Sequence, residues 1–312
     1  MRSSCVVVVI AGGTVLDRCV EALLGSREGE AATELEIVVS AAKSASITPS
    51  IETTMGVRVV RSADESPIAL AAAGISAARG DLIALTEDHC VPLDGWPASL
   101  FADLGRSGVA AAGGPIVSPV TPTSFDWAFH MVDFYRYTPP VAATPVDSLS
   151  VCNVAYTRSA LERLKAEWQD GFHETRVHGM LREHAVLMMV PGAIVVCDRR
   201  VGRLDGLSER FRFGRLFASK RFHSTAVAPR LAFAAATPLL PFLLLARIAR
   251  RSCASPRLAG LFARSSAYIV PLLVAWSAGE LVGYVTSRPP RSSAAARNRL
   301  GPDEPIGALF KA

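Results

Sequence analysis

One run of the sequence, Ser66–His89, constrains the fold more than any other. Ser66 stands where an N-cap belongs, and Pro67 follows at the first helical position, where its missing N–H costs little. An alanine-rich segment carries the predicted helix to about Arg79, and Gly80 is placed to stop it in a left-handed cap. Asp81 leads into an apolar strand, Leu82–Leu85, and at its carboxyl end come Thr86, Glu87, Asp88 and His89. A helix, a buried strand and a polar turn in this order form the unit of a parallel sheet covered by helices. Ligands of open α/β sheets bind beyond the carboxyl ends of the strands. The acidic cluster is therefore where a site is expected.

The same alternation extends in both directions. Cys5–Ile10 is too short for a signal-peptide core and reads as a buried strand. A helix at Val15–Leu24 and strands at Leu35–Val39 and Val57–Val60 follow. Beyond the acidic cluster the pattern predicts a helix at Leu93–Leu104 and a strand at Val109–Val117, with Gly113-Gly114 marking a close backbone approach. Ser118–Asp147, rich in proline and aromatics and including Trp127, reads as a long loop or lid with a short helix. Then come a strand at Leu149–Tyr156, helices at Arg158–Trp168 and Glu174–Glu183, and strands at Val186–Val190 and Ala193–Cys197. Leu207–Phe222 is a basic, aromatic helix.

Two apolar stretches close the chain. Leu231–Ala246 is uncharged but interrupted by Pro238 and Pro241; Ser265–Ser287 has Glu280 as its only charge and is long enough to span a bilayer. From Leu231 onward ten basic residues face three acidic ones, while the first 230 residues hold 23 basic and 25 acidic. The net charge of +5 is therefore a property of the tail, pointing to a membrane surface and not to nucleic acid. Arginines both between and beyond the stretches fit helices that lie in or dip into the cytoplasmic leaflet. Buried helices of a soluble subdomain are the plain alternative. With half its residues hydrophobic the chain is no disordered or low-complexity protein, and most of its length lacks the apolar spans of a polytopic transporter. The six scattered cysteines, with no CxxC pair, read as reduced, mostly buried thiols in cytoplasm.

A short acidic cluster after a buried strand can hold a divalent cation against a nucleotide diphosphate. Mg²⁺ takes one or two carboxylates with phosphate oxygens and water, and a histidine in third place shifts the preference toward Mn²⁺. A solvated turn is the plain alternative for Glu87-Asp88-His89. Glu174 heads a predicted helix, where the helix dipole alone would favour an acid. His173, Glu174 and His178 form HExxxH, one residue too long for a helical zinc pair. Neither a glycine-rich phosphate loop nor a GxSxG elbow is present. Arg210, Arg212, Arg215, Lys220 and Arg221 interleave with four phenylalanines. That helix can meet phosphate, lie on a membrane, or pack its aromatics on the domain.

The run Ala77–His89 resembles the central block of family 2 glycosyltransferases, where a helix ending in Ala-Arg-Gly-Asp leads into a strand and then a metal-binding acidic motif of the DxD type. Cys90-Val91-Pro92 and Gly95-Trp96 also look like that family. Cys152–Leu161 is similar to its acceptor-side strand and helix, Phe172–Thr175 with Leu181-Arg182 to its acidic helix, and Val190–Ala193 to the strand that follows. The order of these matches, over about residues 5–222, is more specific than any one of them. Gly279–Tyr284 resembles the C-terminal membrane-associated helices of some members.

The resemblance implies an α/β fold of the GT-A kind, a Rossmann-like mixed sheet with helices on both faces, plus a C-terminal helical membrane-associated region. It implies inverting transfer of a sugar from a nucleotide-sugar donor to a hydroxyl, and the tail suggests a lipid-linked or cell-envelope glycan acceptor. In that reading Asp88 and His89 hold Mn²⁺ or Mg²⁺, and Glu87, Asp88, Arg79 and Arg215 bind the donor and its diphosphate. Asn153 and Trp127 face the acceptor, and Glu174 is the general base. The chain departs from the family pattern where strand Leu35–Val39 runs into Ser40-Ala41-Ala42 without the usual paired aspartates, and where Thr175 replaces a second acid. Asp64 or Glu65 could substitute for the former. The rival readings are a catalytically degenerate membrane scaffold and a nucleotidyltransferase of similar fold. The expected organisation is a cytoplasmic catalytic domain at 1–225, apolar helices at 226–290 and a disordered basic tail at 291–312.

Overall fold

The computed structural model describes residues 2–10, 12–26, 35–106, 108–118, 122–221 and 227–286. The expected tail at 291–312 lies outside them, as does Phe222. The chain divides into two units, Met1–Pro119 with Tyr137–Asp198, and Val120–Arg136 with Arg199–Ala312. The division thus falls elsewhere than the boundary expected at residue 225.

The first unit is built around β1 (Ser3–Val8), buried along its whole length. The apolar run Cys5–Val8 suits a strand covered on both faces. After α1 (Gly13–Gly25), β2 (Leu35–Ala42) pairs parallel with one side of β1. Beyond α2 (Pro49–Thr53), β3 (Val57–Ser62) pairs parallel with β2. Then α3 (Pro67–Ala77) leads into β4 (Leu82–Glu87), which takes the other side of β1, again parallel. The carboxyl ends of these four strands point the same way, and β4 delivers the acidic cluster there.

A short β5 (Cys90–Pro92), α4 (Trp96–Ala102), β6 (Val109–Gly113) and β7 (Ile116–Val117) follow. Next come α5 (Ser124–Phe134), which belongs to the second unit, and β8 (Thr144–Pro145). The first unit ends with β9 (Val154–Thr157), α6 (Arg158–Arg163), α7 (Lys165–Trp168), α8 (Glu174–Leu181), β10 (Val186–Met189) and β11 (Val195–Cys197). The large sheet has the order β3-β2-β1-β4-β9-β6-β10-β8, and a three-stranded sheet has the order β5-β11-β7. The large sheet is mixed because β9 lies antiparallel to both β4 and β6.

Several expected elements change on folding. Ser66 takes the N-cap position of α3, but its side chain makes no capping bond. The helix ends at Ala77, and Gly80 is not among the glycines with positive φ. A Cβ at Gly80 would lie 2.5 Å from the Ser4 nitrogen, so glycine is needed for the approach of β1 and not for a left-handed cap. The strand expected at Leu149–Tyr156 contracts to β9, because a turn closed from Asn153 N–H to Ser150 O precedes it. The helix expected at Arg158–Trp168 breaks at Leu164. The segment read as a loop or lid holds α5, started by a reciprocal capping box between Thr123 and Asp126.

The second unit is helical: α5, α9 (Arg203–Arg221), α10 (Val227–Ala236), α11 (Leu240–Ser252) and α12 (Pro256–Thr286). Its core joins Phe125, Trp127 and Phe129 of α5 to Ile248 of α11 and Ile269 and Leu272 of α12. Helices α9 and α12 touch backbone to backbone. A Cβ on Gly214 would stand 2.1 Å from Trp276 O, one on Gly279 1.9 Å from Phe211 O, and one on Gly283 2.5 Å from Arg215 O. Small residues four apart permit such an approach between apolar helices. This packing is why α9 belongs with the apolar helices and not with the sheet. Arg210, read as able to face phosphate or membrane, is instead buried. It pairs with Asp133 and Glu209, 4.7 Å above the Phe129 ring. Glu280 is buried too, accepting from Trp276 Nε1 at 2.5 Å and from the Tyr284 hydroxyl at 3.0 Å.

Candidate active site

The acidic cluster resolves into unlike parts. Asp88 is fully buried, and its Oδ2 accepts the Ile10 N–H at 3.0 Å and the Gly12 N–H at 2.7 Å. Its own N–H donates to Val8 O at 3.0 Å. Asp88 thus anchors the bend between β1 and α1, where Gly12 adopts φ +70°. Of Asp88, expected to face the cation and diphosphate, Oδ2 is held by these two backbone donors, while Oδ1 stands 3.6 Å from His89 Nδ1. The turn Asp88-His89 leaves Glu87 and His89 side by side, with Glu87 Oε2 3.3 Å from His89 Nε2.

His89 is buried among Asp88, Cys152 and Cys197. Burial by itself lowers its pKa, but Cys197, Asp88 and Cys152 around the ring outweigh this and raise it well above the ordinary value. Its Nδ1 has no hydrogen-bond partner among the described residues; Asp88 Oδ1 stands 3.6 Å away. Ligand atoms of Glu87, His89 and Cys152 lie within 4.8 Å of one another, as do those of His89, Cys90 and Cys197. A carboxylate, an imidazole and thiols fit Mn²⁺ or a softer ion better than Mg²⁺, which demands oxygen ligands.

Glu174 opens α8, and its Oε2 accepts the Val151 N–H at 2.6 Å. Part of the residue remains accessible, yet loss of hydration pushes its pKa up to about 7. The Val151 bond opposes the rise and the Glu87 carboxylate adds to it. Desolvation outweighs the helix dipole, which favours the ionised form. One turn along α8, His178 is buried and held neutral, with its pKa lowered to about 4 by burial. Its Nε2 shares a 2.7 Å hydrogen bond with the Tyr156 hydroxyl. Thr175, in the place of a second acid, is exposed.

The remaining expected site residues lie elsewhere. Arg79 precedes β4, where its N–H donates to Glu36 Oε2 at 2.8 Å. It sits at the amino end of β4, about 16 Å of strand away from Glu87, so it is not a diphosphate ligand. Asn153 is buried, and its amide is spent on Pro115 O at 2.9 Å, Ala193 O at 2.7 Å and Trp96 Nε1 at 2.8 Å. It ties loops together and faces no acceptor. Trp127 is a core residue of the second unit. Arg215 is half-buried in α9 of that unit.

At the end of β2, Ser40, Ala41 and Ala42 are buried, and Glu65 takes the Ser44 hydroxyl at 2.8 Å nearby. Sequence reasoning passed over the three cysteines around His89. Each sits at a strand end or in a turn of a different segment, and only their position next to the resembling motifs could have flagged them.

The parallel half-sheet β3-β2-β1-β4, extended by the antiparallel β9 and carrying acids at the carboxyl end of β4, is a sheet of the GT-A kind. Residues 4–165, just over half the chain, match the family model described as glycosyl transferase family 2, and the chain belongs to that family. Among solved structures it resembles the mannosyltransferase PcManGT of Pyrobaculum calidifontis, in complex with GDP-Man and Mn²⁺. The identity is 17%, the TM-score 0.55, and 90% of this chain and 87% of that one are covered. S. aureus TarS 1-349 in complex with UDP-GlcNAc is similar at 14% identity and a TM-score of 0.48, covering 86% of this chain and 90% of that one. At these identities the likeness concerns the fold. No curated protein matches the sequence.

Proposed function

We propose that this chain is an inverting glycosyltransferase. It would move a sugar from a nucleotide-sugar donor to a hydroxyl of a lipid-linked or cell-envelope glycan acceptor. The observation that carries the reading is Glu174, a carboxyl with a pKa near 7, held by Val151 and sensed by Glu87 across the site. A hydroxyl is a poor nucleophile until a positioned base takes its proton, and the best base has a pKa near the working pH. Glu174 accepts that proton as the acceptor oxygen attacks the anomeric carbon from the face opposite the leaving diphosphate. Glu87, beside His89, would hold Mn²⁺ or Mg²⁺ together with phosphate oxygens of the donor. When bound, the cation neutralises charge developing on the departing diphosphate. Asp88 keeps the bend after β1 in place behind that pair.

The tail supports work at a membrane. Ala228–Ser252 and Pro256–Thr286 are long and apolar enough to cross one. They leave Leu239, Phe242, Val270, Val274 and Val285 exposed. Contiguous apolar surface of this kind marks a membrane or partner face. Between these helices lies an apolar cleft of about 410 Å³, walled by Pro238, Phe242, Leu245, Val270, Val274 and Leu281, whose lining suits a hydrocarbon chain. Arginines at the facing ends of the two helices, Arg247, Arg250 and Arg251 on one and Arg257 and Arg264 on the other, support helices that lie in or on the cytoplasmic leaflet, with the catalytic domain cytoplasmic.

One observation favours a second reading. The end of β2 has no carboxylate to grip a base or ribose, as in a chain that keeps the fold as a membrane scaffold without turnover. The test is a panel of UDP-, GDP- and dTDP-sugars with Mn²⁺, read by thermal shift and by release of nucleoside diphosphate in the presence of bacterial membranes. Binding with turnover supports transfer; binding of none supports the scaffold.

A further inference from the structure

Cysteines buried singly serve as small apolar side chains and scatter through a core. Here three of them converge on one imidazole from separate parts of the chain: Cys90 in β5, Cys152 in the turn before β9, and Cys197 at the end of β11. All four side chains are buried, at 0% exposure for Cys90, 3% for His89, 5% for Cys152 and 6% for Cys197. Cys90 and Cys197 are register partners on antiparallel strands. The Asp198 N–H donates to His89 O at 2.8 Å and the Leu93 N–H to Ile194 O at 3.0 Å. Hydrogen-bonded pairs thus fall at 89/198 and 93/194, leaving 90/197 as a non-hydrogen-bonded pair, the kind whose side chains approach most closely.

We propose that His89, Cys90 and Cys197 bind a thiophilic divalent cation, zinc, with Cys152 within reach as the fourth ligand. Their ligand atoms already lie within 4.8 Å of one another. Zinc with sulfur at about 2.3 Å in a tetrahedron needs them about 3.8 Å apart. Side-chain movements of about an ångström close the difference without moving a strand. Nitrogen and sulfur donors are the set zinc prefers, and oxygen-seeking Mg²⁺ does not compete for them. The ion would tie β5 to β11 and, through Cys152, to the turn before β9, fixing His89 beside Glu87. The inference rests on the thiols and not on sugar transfer, so a chain without turnover would bind zinc all the same.

The test uses the full chain purified under reducing conditions without chelator. Elemental analysis should find about one zinc per chain in the wild type and in Cys253→Ser, falling to below about a tenth in Cys90→Ser and Cys197→Ser. Cobalt added to metal-free wild type should give thiolate-to-cobalt charge-transfer absorption, lost in Cys197→Ser. The cobalt spectrum decides on the wild type alone if the serine variants do not fold. A folded wild type with neither zinc nor that absorption overturns the proposal. So does zinc that persists in both variants, or a Cys90–Cys197 disulfide in place of the ion. Sugar transfer measured on the same samples separates the two readings: zinc without turnover removes the catalytic proposal alone, and turnover without zinc removes this one alone.

Discussion

The Glu174 carboxyl, with a pKa of about 7 in the folded chain against an ordinary 4.5, makes folding less favourable as pH rises between them. The unfolded chain releases its proton first, so this group's contribution is intact below pH 4.5 and lost as pH passes 7. Glu174→Gln keeps an oxygen for the Val151 N–H and removes the loss. The variant should be more stable than wild type by about 2 kcal/mol at pH 8, the full shift discounted for partial exposure, and equal to it at pH 4. Urea unfolding at the two pH values checks this, and equal stability at both contradicts it. Asp88 and Glu87 should part in the same way. Asp88→Ala strands two buried N–H groups and should cost about 2–4 kcal/mol. Glu87→Ala should change stability by under about 0.5 kcal/mol while weakening nucleotide-sugar binding, read by calorimetry. The sequence marked all three members of Glu87-Asp88-His89 but not which one turns inward. That depends on the bend at Ile10–Gly12, far away along the chain.

Within α8, two buried groups oppose each other. His178 has a pKa lowered from 6.5 to about 4, so its contribution is intact above pH 6.5 and lost as pH falls toward 4. Its slope runs against that of Glu174, and the contributions of these two groups should nearly cancel between about pH 4.5 and 6.5. In Glu174→Gln the same window should show stability rising with pH; urea midpoints measured across it would expose a flat profile if His178 were not held neutral. Among helix pairs, α9 and α12 depend most on single residues. Gly279→Leu drives a side chain into the Phe211 carbonyl and should cost about 3 kcal/mol or more, seen as a lowered melting temperature. Strands and helices with strong apolar runs, β1, β2, α3 and β4, were legible from pattern. The break at Leu164, the short β9 and the role of Gly80 were not, because contacts from distant segments set them.

The whole molecule joins a family 2 glycosyltransferase sheet unit to a helical unit with exposed apolar faces. Charge and hydropathy along the sequence located the apolar tail. They could not show that 120–136 and α9 belong to the same unit, which depends on three glycines and the α5 aromatics. If the apolar faces meet lipid, Phe242→Glu combined with Val274→Glu should shift the protein from the membrane pellet to the soluble fraction. Both positions are exposed, so the fold should persist, and unchanged partition would remove the membrane role.

The central claim is that Glu174 activates a hydroxyl for inverting sugar transfer. It is tested most directly by the anomeric configuration of product formed from labelled nucleotide sugars by wild type and Glu174→Gln. The expected result is product of inverted configuration from the wild type, and a rate lower by about 100-fold or more in the variant, which should still bind the donor. Product of retained configuration, or equal rates in the two proteins, would contradict it.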